Sequence, residues 1–232
     1  MVSYQYTYLL MGVIFAIFWI GLFLWRKNTR KEMLIMSTIF AILGPFVNLV
    51  YTIDWWRPHF LLGFSSAGIE DIIMGFAWGG VIAVIYESLF DKKLKIKKVS
   101  KIKEMKRTLN FLILFIPSIA LFFALFILFD VNSFHSTIVS ILTPSMIIWI
   151  KRKDLVLGSL FTGILSVLIA MFVYTILEIL TPGWVQAFWL FENVPNIVIF
   201  NLPIDDIVWY FVAGLFVGPL YKYWKEAKVV NN

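Results

Sequence analysis

The chain has 232 residues, of which 61% are apolar, 18% aromatic and only 15% charged, with a mean hydropathy of +0.87 and a net charge of +6. Globular chains are about one-quarter charged, so a soluble domain is excluded, and in a bilayer the basic excess speaks for topology rather than for nucleic acid. The absence of cysteine, with His59 and His135 the only histidines, excludes disulfides and sulfur-ligated metals, and neither a metal nor a cofactor is expected.

In chain order, apolar runs lie near residues 6–25, 33–53, 68–90, 108–129, 134–150, 155–180 and 204–224. Six have the roughly 20 residues that a membrane-crossing helix needs. The fifth, HSTIVSILTPSMIIWI, is shorter and contains Pro144, yet it is bounded by Asp130 and by Lys151, Arg152 and Lys153. Seven spans make the chain an all-α polytopic membrane protein. Basic residues support the count: Arg26, Lys27, Arg30 and Lys31 follow span one, nine lie from Lys92 to Arg107, three follow span five, and Lys222, Lys225 and Lys228 follow span seven. All of these fall on one side, and Arg57 alone lies on the other. By the positive-inside rule the N-terminus is outside and the C-terminus cytoplasmic, in the cell membrane. The basic loop reads first as this topology signal, with contact to anionic lipid as a second reading. No basic region precedes span one, so no cleavable signal peptide is expected.

An internal repeat organises these spans. VYTI ends span two at 50–53 and returns near the end of span six at 173–176. Each copy is followed, across an outer loop, by a segment that aligns without gaps: GIEDIIMGFAWGGVIAVIYE at 68–87 and PIDDIVWYFVAGLFVGPLYK at 203–222. The organisation expected is a first three-helix repeat (1–91), a basic loop and linking helix (92–133), and a second three-helix repeat with a cytoplasmic tail (134–232). One helix between the triplets makes the repeats parallel, with spans three and seven facing one another across an axis along the membrane normal.

Ionisable groups inside spans cost about 2.5–3.5 kcal/mol each on insertion scales, so Glu70, Asp71, Asp205 and Asp206 require a reason. Each doublet opens its helix, where the positive end of the helix dipole favours acidic side chains, and this explains one doublet more readily than the same doublet repeated. Successive helical residues diverge by about 100°, so the members of a doublet point differently. Asp71 shares a face with Gly75, Trp78 and Gly79, and Asp206 with Tyr210, Ala213 and Gly214. Burial and a like-charged neighbour favour a neutral carboxylic acid, whereas the dipole favours the carboxylate. Aromatic residues surround this level: Tyr51 and Tyr174 in the repeated VYTI, Trp55 in the first outer loop, and the deeper Trp78, Trp209 and Tyr210. Their readings are interfacial belt, helix packing, or a wall whose π faces stabilise a cation.

Two helix-opening acidic motifs, GIEDIIMGF at 68–76 and PIDDIVWYF at 203–211, within a three-one-three helix plan, resemble the lycopene cyclase domain family. This is the integral-membrane type found as two-subunit bacterial and archaeal cyclases and fused to phytoene synthase in fungi. The family pattern is Pro-x-Glu-Glu or Pro-x-Glu-Asp; here Gly68 replaces the first Pro, and Asp205 and Asp206 stand where Glu is usual, shortening reach by a methylene. The resemblance implies a hydrophobic isoprenoid or carotenoid substrate. It also implies ring closure by protonation of a terminal double bond and loss of a proton, with no net redox, and Glu70, Asp71, Asp205 and Asp206 as the catalytic acids and bases. Tyr51, Trp55, Trp78, Tyr174, Trp209 and Tyr210 are then the substrate-binding candidates.

Other readings stay open. A non-catalytic family member would keep the fold without the chemistry. A proton-coupled transporter with three-one-three parallel repeats fits the intramembrane acids but expects a midplane site. A prenyl transferase lacks D-x-x-x-D pairs and basic residues on the carboxylate side. A retinal protein lacks a lysine within span seven, Lys222 standing at its end.

Overall fold

The structure, a computed structural model, describes residues 2–63 and 66–231. Its helices are α1 (Thr7–Trp25), α2 (Arg30–Asp54), α3 (Ile69–Leu89), α4 (Lys101–Phe123), α5 (Ser133–Lys151), α6 (Val156–Leu180), the short α7 (Trp184–Phe188) and α8 (Ile204–Trp224). Seven of these helices are long and apolar enough to cross a membrane, including α5, which runs through Pro144 without a break. Strand β1 (Lys92–Lys95) follows α3; β2 (Val198–Ile199) and β3 (Leu202–Pro203) lie between α7 and α8; β4 (Lys228–Asn231) ends the described chain and pairs antiparallel with β1.

Helix ends follow local chemistry. Ser100 accepts from the Lys103 N–H to open α4, and Asn132 accepts from Phe134 N–H at 2.9 Å to open α5, each occupying a backbone donor that has no partner within its helix. Asp54, at the end of α2, accepts from the Ser133 N–H at 2.8 Å and so ties α2 to the start of α5. Strands β2 and β3 form a two-residue hairpin whose turn residues, Phe200 and Asn201, both have positive φ, the geometry that matches strand twist. This hairpin delivers Pro203 to the start of α8, just before the acidic doublet.

α3 packs between α1 and α2, α8 packs between α5 and α6, and α3 and α8 touch each other at the centre. They are the most enclosed of the spans, whereas α4, packed on α5 and α8, is the least. Small residues permit the close approaches: a Cβ on Gly214 would stand 2.7 Å from Cα of Gly163 in α6, and one on Gly79 2.5 Å from the Phe40 side chain. Both glycines therefore serve packing. The loops after α2 and α7 also join, because Leu190 N–H donates to Trp55 O at 2.9 Å and Arg57 N–H to Phe188 O at 2.7 Å.

Two expectations require correction. The fourth helix begins at Lys101, not near 108, so Lys101, Lys103, Lys106 and Arg107 lie on its first two turns rather than in a loop. Their long side chains tolerate a helical start at the membrane surface. Lys222 is not a flanking residue: it lies within α8, buried, 2.9 Å from Glu32 Oε1 and 3.0 Å from Glu87 Oε2, and donates to Ala83 O and Gly218 O at 2.6 Å each. Two carboxylates meeting one ammonium make burial tolerable. A lysine thus does lie within the seventh span, but it is committed to this pairing.

Candidate active site

The two acidic doublets open α3 and α8 at the end of the bundle opposite the basic residues. At α3, Asp71 turns inward. Its Oδ1 accepts from the Tyr8 phenol of α1 at 2.6 Å and from Asn48 Nδ2 of α2 at 2.9 Å, and its Oδ2 accepts from the Gly68 N–H at 2.8 Å. Glu70, one residue earlier, points to the preceding loop, where its Oε1 accepts from Leu61 N–H at 2.6 Å. At α8 the division is the same. Asp206 faces inward and accepts from the Tyr174 phenol of α6, whereas Asp205 is held by two indoles, Trp55 Nε1 and Trp189 Nε1, both on Oδ2. All four carboxylates are buried.

Asp71 and Asp206 line one cavity of about 350 Å³, and Glu70 and Asp205 are not among its lining residues. All six aromatic candidates, Tyr51, Trp55, Trp78, Tyr174, Trp209 and Tyr210, line it too. The rings are mutually packed: Trp78 lies 5.2 Å from Trp209 between centroids, and Trp209 stands perpendicular to Tyr210 at 5.1 Å. Trp209 Nε1 donates to the Tyr51 hydroxyl at 3.2 Å, and that hydroxyl shares a 2.9 Å hydrogen bond with Thr137 of α5. Asp205 acts on this wall indirectly, since it fixes the Trp55 and Trp189 indoles that face the cavity.

The cavity continues between α2 and α4, which scarcely touch each other. Its rim there is Phe46 and Val47 of α2 with Ile119 and Phe123 of α4, all exposed apolar side chains. An apolar mouth opening onto the lipid-facing side suits an apolar ligand. Among the described residues no lysine or arginine lines the cavity, so the arrangement does not suit a diphosphate. Chemically it provides two carboxylates, π faces and a surface able to exclude water.

Tyr8 and Asn48 escaped the sequence-based candidate set. Tyr8 follows Tyr4 and Tyr6 at the start of the first span, where no local pattern singles it out, whereas Asn48 is the lone asparagine of span two, an isolated amide in an apolar run and so a usable signal. His59 and His135 pack against the rings of Phe188 and Phe134.

Comparison with curated proteins and with solved structures finds no match. Residues 132–224, from the Asn132 cap of α5 to the end of α8, match the family model described as lycopene cyclase. The matched stretch, which supplies Tyr174, Asp205 and Asp206, is similar to that family; the match covers less than half of the chain.

Proposed function

We propose that the protein is a membrane carotenoid cyclase that closes a ring on an open-chain, lycopene-type end group by acid and base catalysis. The observation that carries this reading is that Asp71 and Asp206 line one aromatic cavity with no basic residue in its lining among the described residues. The substrate's end group enters from the bilayer between α2 and α4. Asp206, with its single phenol donor, protonates the terminal double bond. The resulting tertiary cation is attacked by the neighbouring double bond, forming the ring and moving the positive charge onto a ring carbon. Asp71, held as a carboxylate by three donors, removes the adjacent proton, and the electrons of that C–H bond become the new double bond. One proton enters and one leaves, with no electron lost or gained.

The walls serve the cation. Trp78, Trp209 and Tyr210 present π faces whose quadrupole attracts positive charge, an interaction of about 2 kcal/mol or more when desolvated. Acid and base transfer typically contribute about 10²- to 10⁴-fold each. Glu70 and Asp205 do not reach the cavity in this reading; they position the loop and the two indoles. The basic end lies in the cytoplasm and the carboxylate end outside, with the two three-helix units as parallel repeats.

Purified protein in liposomes preloaded with lycopene tests the proposal. Ring-bearing pigment, separated by chromatography, is expected from the wild type and not from Asp206→Asn. Untouched lycopene with folded wild-type protein sinks the cyclase reading and favours a non-catalytic family member or a transporter.

A further inference from the structure

The cavity is smaller than the ligand that the proposed reaction gives it. At about 350 Å³ it has room for roughly a dozen groups of about 30 Å³ each, against about forty carbons in an open-chain carotenoid. Most of the polyene therefore lies in the mouth between α2 and α4, and the mouth must part to receive it. Helix α4 is built in two halves that are held differently. In the half nearer the basic end, Arg107, Phe111 and Leu114 are buried and share one face. Arg107 donates to Glu226 Oε2 at 2.9 Å, Lys225 Nζ to Glu104 Oε1 at 2.5 Å, and Trp224 Nε1 to the Thr108 hydroxyl at 3.2 Å. Phe111 stacks on Trp224 and Phe115 on Phe216, with centroids 5.1 and 6.2 Å apart. Ion pairs and stacked rings thus clamp this half to α8 and the segment that follows it.

Beyond Leu114 the grip ends. Among the described residues, none of α4 past that point is buried, nor any of the π-helical turns Ala124–Leu128 that extend it. The change falls at Pro117, which has no N–H to give to the Ile113 carbonyl, and Ser118 beside it turns its hydroxyl onto Leu114 O at 2.9 Å. Proline and π-helical turns are the usual sites of helix bending. Ser118, Ile119, Phe122 and Phe123, all from the loosely held half, line the cavity. At the far end Asn132 Nδ2 donates to Asp54 O of α2 at 3.1 Å, so this half is tethered beyond its last turn and opens by bowing outward. We propose that residues 118–129 form a lateral gate, which bends away from α2 on a hinge at Pro117 to admit the polyene while the half before Leu114 stays clamped to α8. This inference rests on the cyclase reading, from which the ligand is taken. The ligand favours the open form because it fills with apolar contact the space that opening creates.

The chain has no cysteine, so paired cysteines carry spin labels without background. Leu49→Cys with Ile127→Cys reports the gate, and Leu34→Cys with Met105→Cys reports the clamped half; all four side chains are exposed and outside the cavity lining. Distances are read by double electron–electron resonance in liposomes with and without lycopene, and the pigment retained on the purified protein is measured in parallel. The gate pair is expected to lengthen by about 4 Å, the contact thickness of an extended polyene, and the clamped pair to stay unchanged. Pro117→Ala, which restores the missing donor, should reduce that lengthening and slow ring formation about tenfold, the rate equivalent of one backbone hydrogen bond. A gate pair that does not lengthen although pigment is retained, or equal shifts in both pairs, overturns the hinge and leaves the cyclase reading intact. Retained pigment without ring product overturns the cyclase reading, and the two distances still decide the gate. A protein that retains no pigment overturns both.

Discussion

Helices α3 and α8 bury ionisable side chains at both of their ends, and the two ends handle charge differently. At the basic end, Glu87 of α3 and Glu32 of α2 converge on Lys222 of α8, whose ammonium also caps two backbone carbonyls. At the other end, Asp71 of α3 and Asp206 of α8 meet hydroxyl, amide and backbone donors and, among the described residues, no cation. The first arrangement satisfies charge with charge, encloses it, and ties three helices together. The second holds its carboxylates by groups that fix position without neutralising them, and leaves them facing a cavity. Buried acids built into a lysine cluster carry structure; in the proposed function, the buried acids that meet no cation are the ones that take and give protons.

That contrast is open to mutation at both ends. The largest effect is expected at Asp206: Asp206→Asn should lower ring formation by about 10²- to 10⁴-fold while leaving thermal unfolding in detergent near that of wild type. At the basic end the pattern should reverse. Lys222→Met strands two buried carboxylates and is expected to cost about 3–5 kcal/mol of stability, measured by denaturant unfolding in micelles. The triple variant with Glu32→Gln and Glu87→Gln should recover most of it, because no unpaired charge remains. A smaller loss, about 1–3 kcal/mol, is expected for Gly214→Ala, which drives a methyl into Gly163 and probes the α6–α8 contact supporting the cavity. The smallest concerns Glu70→Gln. The amide oxygen still accepts from Leu61 N–H, so a change of about 1 kcal/mol or less and retained ring formation are expected.

Much of this was legible in the sequence. The seven spans follow from apolar run length, and the 100° step between neighbours groups Asp71 with Gly75 and Trp78, and Asp206 with Tyr210 and Ala213, all of which line the cavity; which member of each doublet turns inward was not legible, and all four acids stood as candidates. Composition hid other parts. A lysine near the end of a span resembles a topology marker until its partners are known, and Glu32 and Glu87 lie far from it in sequence. Tyr8 carries no local signal because its partner Asp71 is 63 residues away. The loop pairing that brings Trp55 and Trp189 onto Asp205 likewise depends on backbone bonds between distant segments. Side chains whose role is set by a neighbour on another helix carry little local signal.

The most direct test compares the two members of each doublet in lycopene-accumulating cells, with pigment chromatography and protein quantified for each strain. Ring products are expected from wild type and from Glu70→Gln, and are expected to vanish with Asp71→Asn and with Asp206→Asn at equal protein level. Ring formation that survives both cavity-facing substitutions would contradict the claim that these two carboxylates perform the chemistry.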